Sequence, residues 1–154
     1  MTCKLTLAIV SVFIALTSMA SAVQAENGHA YNGNHCSAWL GSQSGDFSKG
    51  PNGLRNNTPG ARYVSCPVVV DEIANTTGTT RQYVYYTGNG TIRCTLQSNN
   101  HNGTALQAQS ASRVGTGWIF IPQITADAYW GSYAMWCLLP GYGTINTIWV
   151  GEQN

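Results

Sequence analysis

Between Thr91 and Gln97 polar and apolar residues alternate without a break. Ile92, Cys94 and Leu96 fall on one side; Thr91, Arg93, Thr95 and Gln97 fall on the other. A period of two marks a half-buried strand. Nothing elsewhere competes with it, because no segment sustains apolar residues at i, i+3, i+4 and i+7. The chain must therefore bury its apolar surface between sheets rather than between helices.

The same reading extends along the chain. Cys36 to Leu40 is a short first strand. Gly41–Thr58, rich in Ser, Gly, Asn and Pro, is a long loop with room for one brief strand. In the run from Tyr63 to Val70, Val64, Cys66, Val68 and Val70 share a face, and Pro67 within it points to an edge or a bulge. Arg81 to Thr87 is rich in strand-forming aromatics. Gly88-Asn89-Gly90 then reads as a hairpin turn into the Thr91 strand. Thr104 to Ala111 is a weaker strand, and Trp118 to Ile121 a continuous apolar one. The stretch from Tyr133 to Val150 reads as a β-hairpin around Pro140-Gly141-Tyr142-Gly143, a run with tight-turn chemistry. Seven or eight short strands predict an all-β fold: an antiparallel two-sheet β-sandwich, jelly-roll or immunoglobulin-like, in one domain over residues 36–154. Residues 26–35, polar with two Asn-Gly pairs, are expected to be a flexible lead-in.

The first 25 of the 154 residues are of a different kind. Lys4 precedes a mostly apolar run, Leu5 to Ala20, followed by two small-x-small patterns that allow cleavage after Ala22 or Ala25. That order is a secretory signal peptide, and the apolar run is shorter than the roughly 20 residues a spanning helix needs. The expected location is secreted or periplasmic, with no membrane span after cleavage. Cleavage removes Cys3 and leaves Cys36, Cys66, Cys94 and Cys137. In an exported domain these predict two disulfides. Of the three connectivities, Cys36–Cys66 with Cys94–Cys137 is preferred. A metal site is disfavoured: there is no C-x-x-C, and His29, His35 and His101 lie in Asn- and Gly-rich stretches.

Three phrases carry a resemblance: Cys66-Pro67-Val68-Val69; Ile92-Arg93-Cys94-Thr95-Leu96; and Cys137-Leu138-Leu139-Pro140 leading to Val150-x-Glu152. Together they resemble a family of small exported bacterial proteins of unknown function. Its members run from a signal peptide through C-P-V-V-R-D-like, T-C-T-L-like and C-x-L-P-P-like segments to a final V-x-E strand. The likeness covers nearly the whole chain beyond the leader. It departs at Val70, where that family usually has Arg, and at Gly141, where a second Pro often falls. The resemblance implies export and a β-sandwich. It implies no activity.

The residues themselves favour none. With Lys4 removed, six of the seven basic residues face six acidic ones, so there is no basic stripe for nucleic acid. Gly41-Ser42-Gln43-Ser44-Gly45 has Gln where a G-x-S-x-G nucleophile would stand. Asp71-Glu72 are adjacent acids after a strand, with no partner pair marked across a cleft. No D-x-D-x-D calcium loop is present. Gly88-x-Gly90 lacks the third glycine and the helix of a phosphate cradle. Asn56, Asn75, Asn89 and Asn102 head N-x-Thr triplets that read as loop composition. No cofactor is indicated.

Aromatic residues are the unusual signal. Core filling accounts for Phe120 and several tyrosines. In a hairpin turning around Gly141-Tyr142, Tyr133, Met135, Cys137, Leu139, Ile148 and Val150 face the core. Ala134, Trp136, Leu138, Ile145, Thr147 and Trp149 then face out, with Trp136 and Trp149 as diagonal cross-strand neighbours. A one-residue slip in the turn would move Trp149 inward. An outward tryptophan pair could stack on sugar, meet another subunit or pack under the Gly41–Thr58 loop. The first functional reading is an exported, non-catalytic β-sandwich working by surface contact with another envelope or extracellular protein. The second is a carbohydrate-binding module that uses Trp136 and Trp149, with Tyr142 from the turn. A small secreted hydrolase is the third and weakest.

Overall fold

The computed structural model describes residues 27–69, 79–125 and 131–153. The expected signal peptide (1–25), the Asp71-Glu72 pair, Val70 and Asn75 lie outside them. The strands are β1 (Asn27–Asn32), β2 (Ser37–Ala38), β3 (Phe47–Gly50), β4 (Gly53–Asn56), β5 (Arg62–Cys66), β6 (Thr79–Thr87), β7 (Thr91–Asn99), β8 (Ala105–Val114), β9 (Gly117–Ile124), β10 (Ser132–Leu139) and β11 (Thr144–Gln153). Among the described residues the helical structure is limited to short 3-10 turns at Gly33–His35 and Gly41–Asp46. The fold is the all-β, two-sheet antiparallel arrangement that the alternation demanded. The sheets are not closed into a barrel.

The first sheet has the order β3-β4-β11-β6-β9, with β1 also paired to β11. The second has the order β2-β5-β10-β7-β8. Between them lie Leu54, Val84, Tyr86, Ile119, Ile121, Ile148 and Val150 from the first sheet. Val64, Ile92, Leu96, Met135 and Leu139 meet them from the second. No helix among the described residues is long and apolar enough to cross a membrane.

Both disulfides form as preferred, Cys36–Cys66 and Cys94–Cys137. All four cysteines are buried. Cys94 and Cys137 are direct register partners on β7 and β10, so this bridge ties two neighbouring strands of one sheet. Two disulfides fit an oxidising extracellular or periplasmic compartment.

Several sequence expectations are corrected. Residues 27–32 are not a flexible lead-in: β1 pairs with β11 from Asn27↔Glu152 to Asn32↔Thr147. Backbone pairing of that kind needs no apolar side chain, which is why a polar segment concealed it. The Gly41–Thr58 stretch holds a hairpin, β3–β4, rather than one brief strand. The strand expected to reach Val70 stops at Cys66, immediately before Pro67, which has no N–H to donate.

The largest correction concerns connections. β10 pairs with β5 and β7, whereas β11 pairs with β1, β4 and β6. The Pro140–Gly143 turn is real, closed by Gly143 N–H donating to Pro140 O at 3.1 Å. Its two strands nevertheless enter different sheets. The Gly88–Gly90 turn behaves in the same way, taking the chain from β6 in the first sheet to β7 in the second. These turns arch across the sandwich instead of folding a strand back on its neighbour.

The side-chain amide of Gln82 sits badly in this core. Gln82, on the inward side of β6, is fully buried, and neither polar atom of its side-chain amide has a hydrogen-bond partner among the described residues. A buried, unpaired polar group costs about 1–3 kcal/mol. Gln82→Leu keeps nearly the same volume and removes that cost. It is expected to raise the unfolding free energy by about 1–2 kcal/mol, read as a later urea midpoint at unchanged slope. A loss of stability would show that the amide is satisfied after all.

Candidate functional site

Trp136 and Trp149 both point away from the core, as parity required, but they are not neighbours. Trp149 lies on the outer face of the first sheet and Trp136 on the outer face of the second. Alternation reports which side of a strand meets the core. It is silent on which strand lies alongside, and an arch and a hairpin bury the same residues. Ile145, expected outward, is buried, because β11 carries a bulge between Ile145 and Thr147 that reverses parity there. Tyr142 occupies the turn with φ 60° and is 57% exposed. It belongs to neither tryptophan's surface patch.

On the first sheet Trp149 has other company. Along β6, Gln82, Val84 and Tyr86 point inward, so Tyr83 and Tyr85 point outward. Along β9, Ile119 and Ile121 point inward, leaving Trp118 40% and Phe120 63% exposed. Register then sets these side chains side by side: Trp149↔Tyr83↔Phe120 in one row, Thr147↔Tyr85↔Trp118 in the next. Ring centroids are 4.8 Å apart for Tyr83–Trp149, 5.2 Å for Tyr83–Phe120 and 5.1 Å for Tyr85–Trp118. All are tilted or edge-on, the geometry that ring quadrupoles favour.

The Trp149 indole lies close over the backbone of two strands. Gly28 on β1 and Gly151 on β11 are register partners. A Cβ at Gly28 would stand 2.8 Å from Trp149 Cε2 and 2.9 Å from Nε1, and one at Gly151 would also meet the ring. The two glycines give the indole a floor and let it settle on the sheet. The reading of Phe120 and the tyrosines as core filling is thereby corrected for Phe120, Tyr83 and Tyr85; Tyr86 alone of that group is fully buried. A signal was present in the sequence: both parities of Trp118 to Ile121 are apolar, so one set had to lie outside a two-layer core.

The second sheet's outer face is mixed in character. Trp136 meets the exposed Trp39 at a centroid distance of 5.9 Å and an interplanar angle of 61°. Trp39 is held in place where its N–H donates to Tyr63 O at 3.0 Å. Beside them Tyr63, Arg93, Thr95, Ser110 and Leu138 complete a depression of about 390 Å³. Thr95 and Ser110 are register partners whose hydroxyls lie 2.7 Å apart. The Arg93 side chain is exposed and makes no hydrogen bond or ion pair among the described residues, while Asp46 is engaged by Arg62 Nε at 2.6 Å.

Among the described residues no three His, Cys, Asp or Glu side chains gather into a metal-binding group. No family model matches this chain, and no curated protein matches its sequence.

Proposed function

We propose that this is a secreted or periplasmic bacterial protein, a non-catalytic β-sandwich that works by surface contact, and that it contacts carbohydrate through the aromatic face of the first sheet. The observation that carries this reading is the two-row array of Trp149, Tyr83, Phe120, Tyr85 and Trp118. A solvent-facing patch of this kind marks an interaction surface. Its large side chains are all aromatic, with no aliphatic one among them. Rings present flat, electron-rich faces to the C–H faces of sugar rings, and the hydroxyl of Thr147 lies in the same array. From Trp149 to Phe120 the row spans two strand spacings, roughly 9–10 Å, enough for successive sugar units.

Pull-down on insoluble polysaccharides and affinity electrophoresis in soluble ones test the reading. The wild type is expected to be retained by at least one polymer. Trp149→Ala and Phe120→Ser are each expected to weaken retention about tenfold, the equivalent of about 1.4 kcal/mol, with unchanged far-UV spectra. Retention that survives both substitutions would remove the face from the proposal. A dimer in light scattering that Trp149→Ala dissolves would assign the face to a second copy of the chain instead.

A further inference from the structure

The outer face of the second sheet carries chemistry that the aromatic array does not need. We propose that the depression formed by Trp136, Arg93, Thr95, Ser110 and Tyr63 is a separate site for an acidic sugar, a carboxylate-bearing pyranose such as a uronic acid residue. Three independent features converge there. Trp136 offers a partly exposed ring, with Trp39 packed edge-on against it at 61°. Arg93 brings a cation whose side chain has no partner among the described residues into a chain that has few charges. Thr95 and Ser110 form a hydroxyl pair in which one O–H donates to the other's oxygen, leaving the acceptor's own O–H directed elsewhere.

Register assembles these groups across three strands. One row runs Ser65↔Trp136↔Thr95↔Ser110, and the next runs Tyr63↔Leu138↔Arg93↔Ser112. Arg93 is therefore diagonal to Trp136, close enough for a long side chain to reach the same ligand. A guanidinium is a planar fork that matches a carboxylate with two parallel hydrogen bonds. A sugar stacked on Trp136 would turn its carboxylate toward Arg93 and a ring hydroxyl toward Thr95 and Ser110. A neutral sugar would leave the guanidinium unanswered, which is the basis of selectivity. The depression, at about 390 Å³, lies within the size range of small-molecule sites.

Isothermal titration with a galacturonic acid trisaccharide and with its neutral galactose counterpart separates the outcomes. The acidic trisaccharide is expected to bind at least tenfold more tightly, with affinity falling as salt rises. Arg93→Gln is expected to abolish that preference, Arg93→Lys to retain part of it, and Trp136→Ala to remove binding of both sugars. Near-UV spectra and intact disulfides check that each variant is folded. Trp149→Ala is expected to leave this binding untouched, so the site stands or falls apart from the aromatic face of the first sheet. Equal affinity for the two sugars, absence of binding to either, or an Arg93→Gln variant indistinguishable from wild type would each overturn the assignment.

Discussion

Replacing Cys94 and Cys137 together by alanine is expected to lower the unfolding free energy by about 4 kcal/mol. The bridge spans 43 residues, and in the chain-entropy model a loop of that size carries a penalty of this order in the unfolded state. Its position raises the stake. β7 and β10 are neighbours in the interior of the second sheet's strand order, and both sulfurs face the core. A domain of this size has only about 5–15 kcal/mol of net stability. With a urea slope of about 1–3 kcal/mol per molar, the unfolding midpoint should fall by roughly 2 M. Alanine is the better probe than serine, because a buried hydroxyl adds its own desolvation penalty. A drop below about 1 kcal/mol would mean that the unfolded chain is already compact around these strands. The Cys36–Cys66 bridge closes 30 residues and ties β5 to the segment leading into the short edge strand β2. Its loss should be felt less.

For β5, β7, β10 and most of β11, the strand and the side that meets the core were legible because a two-layer protein writes burial directly into parity; the polar β1 and the β3–β4 hairpin were not. Ile92, Cys94 and Leu96 are inside, as are Met135, Cys137 and Leu139, and Ile148 and Val150. Sheet membership was not legible. Pro140–Gly143 has the same turn chemistry whether the chain folds back beside itself or arches over to the opposite sheet, and the buried residues are the same in both cases. Only long-range pairing decides between them: β10 is claimed by β7 through Cys94–Cys137, while β11 lies between β6 on one side and β4 and β1 on the other.

The candidate site followed the same division. That Trp136 and Trp149 face outward was readable from their offset to Cys137 and Val150. That they stand on different sheets was not, and the expected tryptophan pair was lost with the hairpin. What replaced it had left a trace. Trp118-Ile119-Phe120-Ile121 and Tyr83-Val84-Tyr85-Tyr86 are apolar at both parities, more than one core can take in. The floor under Trp149 was beyond sequence reasoning, because it depends on Gly28 of a polar segment meeting Gly151 across a sheet.

Asn56→Ala is expected to cost about 2–4 kcal/mol, although the residue is a small polar one in a stretch read as loop. Asn56 is fully buried at the end of β4. Its Nδ2 donates to Gly60 O at 2.8 Å and lies 3.2 Å from both Leu139 O and Pro140 O; its Oδ1 accepts from Thr58 N–H at 3.0 Å and Thr58 Oγ1 at 2.8 Å. One amide thus fastens the first sheet to the end of β10 in the second, where the chain arches toward β11. Alanine removes one donor each from Gly60 O, Leu139 O and Pro140 O, of which Pro140 O keeps the Gly143 N–H and Gly60 O the Thr58 hydroxyl, and it takes the side-chain acceptor away from the Thr58 N–H. Asn56→Asp is the sharper probe. It keeps the acceptor side but sets a second oxygen against three carbonyl oxygens, so its charged form is the worse one. Burial and those carbonyls should hold the aspartate pKa above its unfolded value of about 3.9. Stability should then be retained below that unfolded value and lost as pH rises through the folded one. Urea unfolding of Asn56→Asp at pH 4 and pH 7 measures this directly. A variant equally stable at both, or more stable at pH 7, would mean that the carbonyls turn away and that the arch is not held by this amide.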